Sequence, residues 1–417
     1  AQGARAAALA RAPMPLEMPP ASPPSLRHVL ADFGATYAVN GLVAFIFAAS
    51  GPVAIILAVG TRGGLSESDL ASWIFGAFFL NGLVSIAVCW WFRQPMVFFW
   101  TIPGAVLVGP ALGHLSFQQV IGAYLATGAL MLALGLSGWV KRCMDAVPMP
   151  IVMGMVAGVF LRFGLDLVYS IRDAFWIAAP MTLAFFALAA APRLGRRLPP
   201  LIAAMIVGGA MVALLGRFDL HGTALVSFAH PNLYRPVFSW QAMVELVVPL
   251  AVTVLVVQNG QGIAVLRATG HEPPINAITT VCGLGSLLTA CVGTVSTCLT
   301  GPVNAIITAS GERKRHYTAG ILVGVLALGF GLLSPLFTHL LLATPKPFIG
   351  ALAGLAMLRV LQTSFTVSFS GKFTLGALVT FLVTVADVPI FNVGAAFWGL
   401  VFGFAASWLL ERADFKK

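Results

Sequence analysis

The chain has 417 residues, of which 59% are hydrophobic and 9% charged, and its net charge is +10. A soluble domain carries about 25% charged residues, so the composition excludes one and describes a polytopic membrane protein. The apolar segments are helical in length and character, which excludes a β-barrel. The basic residues lie in short loops, where they report topology and not nucleic-acid binding.

Residues 1–27 are rich in Ala and Pro with scattered Arg, and they lack the apolar core and cleavage site of a signal peptide. They read as a disordered cytoplasmic tail. The first span covers about 30–60 and is interrupted at Ser50-Gly51-Pro52. A polar loop with Arg62, Glu67 and Asp69 leads to span two at about 71–92. Span three, 94–112, is unusual. Gln94 to Trp100 are bulky and strand-like, Thr101-Ile102-Pro103-Gly104 break the backbone, and Ala105 to Leu112 continue as an apolar helix. Spans four to seven fall at about 118–139, 147–163, 173–191 and 199–216. The polar stretch 217–240 is the linker between two halves.

Span eight, about 242–266, is interrupted at Gln258-Asn259-Gly260-Gln261-Gly262, and span nine follows at about 275–291. Span ten, 293–308, repeats the design of span three. Gly293 to Leu299 favour extended backbone, Thr300-Gly301-Pro302 break it, and Pro302 suits the first turn of a new helix. The loop Arg313-Lys314-Arg315 precedes span eleven at 317–342. Spans twelve to fourteen are read at 347–361, 373–391 and 393–410. The shorter segments also fit a count of twelve.

Irregular backbone at membrane depth survives only when buried in protein or lining a cavity. Two interrupted segments in corresponding halves are the best sequence pointer to a transporter's binding site. With the N-terminus inside and fourteen spans, only Arg62, Arg162, Arg172, Arg217, Arg235 and Lys346 of the 24 basic residues fall outside. That bias obeys the positive-inside rule. Seven spans per half is an odd number, so the second half enters the membrane inverted. The fold expected is therefore all-α, with fourteen transmembrane segments in a seven-plus-seven inverted repeat. The first repeat is 28–216 and the second 241–412, with spans three and ten as strand plus half-helix.

Four motifs carry a family resemblance: Ser50-Gly51-Pro52-Val53-Ala54-Ile55-Ile56-Leu57, Ser72-Trp73-Ile74-Phe75, Trp100-Thr101-Ile102-Pro103-Gly104-Ala105 and Gln258-Asn259-Gly260-Gln261. Together they resemble the BenE-type benzoate membrane transport proteins, over about residues 28–412. The resemblance implies an aromatic-acid/proton symporter of the bacterial inner membrane. It also implies the inverted-repeat fold shared with nucleobase/ascorbate transporters and sulfate permeases. In that fold a core domain (spans one to four and eight to eleven) moves against a gate domain (five to seven and twelve to fourteen). By analogy with the fold, a homodimer would form through the gate domain. Nucleobase transporters of this fold usually carry acids on spans eight and ten. Here Gln258 and Thr300-Gly301-Pro302 are neutral, which suits a carboxylate that an acid would repel.

The expected site places the anion between the half-helix starts near Gly104 and Gly301, whose free N–H groups carry the positive end of the dipole. Thr101 and Thr300 add hydroxyls, Gln258, Asn259 and Gln261 around Gly260 add donors, and Phe99 and Trp100 offer an aromatic wall. The alternative for the polar three is satisfaction of the broken helix, and for the aromatics packing against lipid or the gate. Tyr37 and Asn40 share a helix face, directed at the site or at a neighbouring helix. Asn304 lies one turn past the second break and faces the site or pairs with span one.

Intramembrane acids are candidate proton carriers by default. Glu245, Asp32 and Asp387 are the candidates, and none lies near a break. Glu245 precedes Gly260 by about 22 Å of helix, more than the ~15 Å half-thickness of the hydrocarbon core. Either tilt brings one of them closer, or the proton travels on the substrate. Five cysteines form no disulfide framework or metal-ligand pattern, so no cofactor or metal is expected. No nucleophile–base set or mid-depth His cluster suggests an enzyme, and no phosphate-binding loop suggests an ATP-driven pump. The function expected is secondary import of benzoate or a related aromatic carboxylate with a proton. The alternative is a transporter or channel for another organic or inorganic anion.

Overall fold

Two short strands from distant parts of the chain pair with one another. β1, Phe98–Trp100, and β2, Thr297–Leu299, run antiparallel with Phe98 opposite Leu299, Phe99 opposite Cys298 and Trp100 opposite Thr297. The computed structural model describes residues 16–19, 22–146, 148–191, 198–219, 227–391 and 393–415. Most of the expected tail, the Arg193, Arg196 and Arg197 cluster and part of the linker lie outside the described residues.

A two-stranded ribbon has two raw edges, and inside a bilayer each unpaired N–H or C=O costs several kcal/mol. Polar side chains on the neighbouring apolar helices cover them. Ser85 Oγ accepts from Phe98 N at 2.8 Å and donates to Phe98 O at 2.9 Å. Ser286 Oγ accepts from Thr297 N at 2.9 Å. Asn304 Oδ1 accepts from Val97 N at 2.9 Å, and Asn259 Oδ1 accepts from Leu299 N at 2.8 Å. The strand ends close on each other through Thr101 N to Ser296 O at 2.9 Å and Thr300 N to Val97 O at 3.1 Å. The polar residues scattered through these spans thus satisfy the ribbon.

Each strand feeds a short helix, Ile102–Ala111 after β1 and Gly301–Ile307 after β2, with proline in the first turn of both. Span one also divides, into Ala35–Ala49 and Gly51–Arg62. Among the described residues, seven segments are long and apolar enough to cross a membrane, including Glu67–Phe92, Phe117–Ser137, Met149–Asp173, Trp240–Ala268 and Lys346–Phe369. Shorter apolar helices include Phe175–Ala189, Pro200–Leu214, Ile275–Ala290, Thr374–Ala386 and Ala395–Leu410. Small residues let helices approach closely. A Cβ at Gly283 would stand 2.5 Å from Leu132 N, and one at Gly403 would stand 2.6 Å from Gly376 O.

Three expectations are corrected. Span eight has no break at Gln258–Gly262: the helix widens into π turns over Met243–Val247 and Thr253–Asn259 and continues as Gly260–Ala268. Span five extends well beyond residue 163, since the helix runs Met149–Asp173. Span twelve likewise runs on from 361 to the end of Lys346–Phe369. Near the start of the described chain, Glu17 carboxylate oxygens accept from Asn276 N at 3.2 Å and Ala277 N at 3.0 Å, an acid at a helix N-terminus.

Candidate anion site and the opposite cavity

A cavity of about 1200 Å³ lies beside the ribbon. Of the residues singled out by sequence, Phe99, Trp100, Gln258, Gly260, Gln261 and Thr300 line it. Facing them are Phe47 and Pro52 of the divided first span, Met153 and Phe160, and Arg359 with Gln362 and Thr363. Arg359 is the one charged side chain among the described residues of this lining. Its Nη1 donates to Gln362 Oε1 at 3.1 Å.

Two donors here lack protein partners. Gln258 is 7% exposed, and among the described residues its amide makes no hydrogen bond. The buried indole N–H of Trp100 is also unpartnered. The Gln258 amide is thus left to the cavity, and the Trp100 N–H is one of several buried side-chain groups without a partner among the described residues. The Trp100 ring lies 5.0 Å from Phe78, and Phe99 lies 5.3 Å from the same ring, which fixes the aromatic wall.

The remaining predicted residues are placed elsewhere. Thr101 is fully buried, and its hydroxyl caps the Ile102–Ala111 helix by accepting from Gly104 N at 3.2 Å. It also donates to Thr253 Oγ1 at 3.3 Å. Gly104 N is therefore already used within the protein. Gly301 is buried against Gln261, whose Cδ would be 2.6 Å from an added Cβ. Asn259 and Asn304 serve the ribbon, as described. Tyr37 and Asn40 do share a face, but it meets the 310–315 loop. Glu312 N donates to Tyr37 Oη at 2.9 Å, and Asn40 Nδ2 donates to Ser310 Oγ at 3.1 Å. Asp32 accepts from Tyr317 Oη at 2.7 Å in the same neighbourhood.

A second cavity of about 700 Å³ lies toward the other end of the same helices. Along Met149–Asp173, Met149 and Met153 line the larger cavity, while Arg162, Asp166 and Tyr169 line the smaller. Along Ile102–Ala111, Ile102 and Pro103 meet the larger, and Gly109 and Pro110 the smaller. Glu245 and Asp387 belong to the smaller cavity. Glu245 is 4% exposed, and its Oε2 lies 2.9 Å from His114 Nε2.

Sequence reasoning missed Arg359, counting it only among the cytoplasmic-side cations, at the end of span twelve. It also missed His114, which reaches Glu245 across 131 positions. For Arg359 a signal existed: Leu355, Arg359, Thr363 and Val367 recur every four residues on one helix face, and all line the cavity. For His114 none did, because nothing local joins it to Glu245.

Residues 31–409 match the family described as benzoate membrane transport protein, BenE. The chain is 29% identical over 369 residues to "Inner membrane protein YdcO" of Escherichia coli K12, covering 87% of this chain and 93% of that protein. It is 25% identical over 394 residues to "Benzoate membrane transport protein" of Acinetobacter baylyi, covering 93% and 98%. Among solved structures it is similar to SLC26A9, with TM-score 0.64, 15% identity and coverage of 91% of this chain and 66% of that one. It is similar also to the transmembrane domain of the cyanobacterial bicarbonate transporter BicA, with TM-score 0.61, 14% identity and coverage of 92% and 99%.

Proposed function

The chain belongs to the benzoate membrane transport protein family, and from that premise we propose that it imports benzoate or a related aromatic carboxylate across the bacterial inner membrane by proton symport. The observation that carries the reading is the lining of the larger cavity. An unpartnered Gln258 amide, the Thr300 hydroxyl and an aromatic wall of Phe99 and Trp100 face a single charge, the cation Arg359. A carboxylate takes hydrogen bonds from the neutral donors and is drawn in by the guanidinium. Its ring stacks or packs on the aromatics.

In this reading fourteen spans form two inverted repeats, 28–216 and 241–412, each carrying one strand and half-helix. The core (spans one to four and eight to eleven) slides against the gate (five to seven and twelve to fourteen), so the two cavities open in turn. The positive-inside distribution supports an orientation with both termini in the cytoplasm and the larger cavity on the cytoplasmic side. Uptake of labelled benzoate into proteoliposomes tests the proposal. Saturable uptake stimulated by an inward proton gradient is the expected result. No benzoate uptake by folded protein would overturn it and transfer the site to another anion.

A further inference from the structure

The smaller cavity holds a charge cluster that the anion site does not use. Among the described residues lining it, the charged ones are Arg62, Arg162, Asp166, Glu245 and Asp387. Arg62 and Asp166 pair at 2.7 Å and neutralise each other. Arg162 is left to balance two carboxylates, so the cluster carries one surplus negative charge whenever His114 is neutral.

Glu245 is the most deeply set member. His114 holds one of its oxygens, and a Cβ at Gly394 would stand 2.5 Å from the other. The carboxylate thus joins three elements: its own helix, the turn after Ile102–Ala111, and the segment that leads into Ala395–Leu410. Phe117–Ser137 packs against it too and brings one titratable side chain, Tyr124, while Ala395–Leu410 brings none. A surplus charge resists removal from water far more than a neutral acid does. One proton makes the cluster neutral and lets the cavity close.

Resting on the transport reading above, we propose that the Glu245–His114 pair is the proton-binding site of this protein. It takes one proton from the water in the smaller cavity, and closure of that cavity around the neutral pair moves the half-helix that ends beside His114. Removing the Asp387 charge weakens the pair's hold on the proton, and removing the Arg162 charge strengthens it.

The test uses the full-length protein in liposomes, with labelled benzoate. Glu245→Gln should lose at least tenfold in gradient-driven accumulation while benzoate exchange at equal pH falls less than threefold. Asp387→Asn should move the pH midpoint of uptake to lower pH and Arg162→Gln to higher pH, which tests the site even where E245Q fails to insert. Accumulation by E245Q equal to wild type, unmoved midpoints in both charge variants, or loss of gradient drive in D387N alone would each overturn the proposal. Wild-type protein that takes up benzoate with no response to the gradient would overturn it as well. Wild-type protein that transports no benzoate at any pH would instead sink the transport reading.

Discussion

The two elements of a strand followed by a short helix look like copies, yet they are finished differently. After β1, Thr101 is sealed in, caps its own helix at Gly104 N and ties to Thr253. After β2, Thr300 makes no cap and lines the cavity beside Gln261. Both elements line the larger cavity, but the threonine hydroxyl after β1 is closed by the protein, whereas the one after β2 is left open to that cavity.

The largest expected effect comes from filling the open element. Gly301→Leu displaces the flexible end of Gln261 and occupies the cavity, so benzoate binding should fall more than about 100-fold, ~2.7 kcal/mol. Calorimetric titration measures it, and normal affinity would break the distinction between open and closed elements. Next come the residues that the two elements share. Asn259→Ala and Asn304→Ala each strand a buried backbone N–H, at a cost of about 1–3 kcal/mol, visible as lower thermal stability in detergent. Stability unchanged in either variant would remove its asparagine from the ribbon.

Gln258→Ala should raise the benzoate Kd about tenfold, ~1.4 kcal/mol, with expression intact. Unaltered binding would take Gln258 out of the site. The smallest and most discriminating effect is a crossed pair. Thr101→Val should cost about 1 kcal/mol of stability through its lost cap and little affinity. Thr300→Val should cost severalfold in affinity and little stability. Identical losses in the two variants would erase the asymmetry.

Much of this was legible in the sequence because breaks are local. Thr101-Ile102-Pro103-Gly104 and Thr300-Gly301-Pro302 announce themselves through backbone chemistry, and both located a strand and a helix start. The sequence points to Gln258 and Gln261 through an apparent interruption that the helix does not have, and both line the larger cavity. The π turns around Gln258 were not legible: Gly260 and Gly262 look like an interruption, yet the helix absorbs them. For Asn304 and Asn259 the sequence leaves a ligand role and a structural role open, because the backbone groups they bond, Val97 N and Leu299 N, are 207 and 40 positions away. Arg359 was hidden because Gln362, Thr363 and Ser364 resemble the start of a loop, yet the helix runs on to Phe369 beside the cavity. The smaller cavity, with His114 on Glu245, exists only once distant segments meet.

The pairing of Phe98 with Leu299 also sets a clock on biogenesis. About two hundred residues separate the strands, and ribosomes add roughly 5–20 residues per second. β1 therefore enters the membrane roughly ten to forty seconds before β2 exists. During that interval Ser85 is within reach of Phe98, whereas Ser296 and Asn304 have not been made. Glu17 waits longer still for Asn276, which lies 259 positions further on. A ribosome that stalls in the linker leaves a half-protein with an unmatched strand edge in lipid, the kind of defect that membrane quality-control proteases remove.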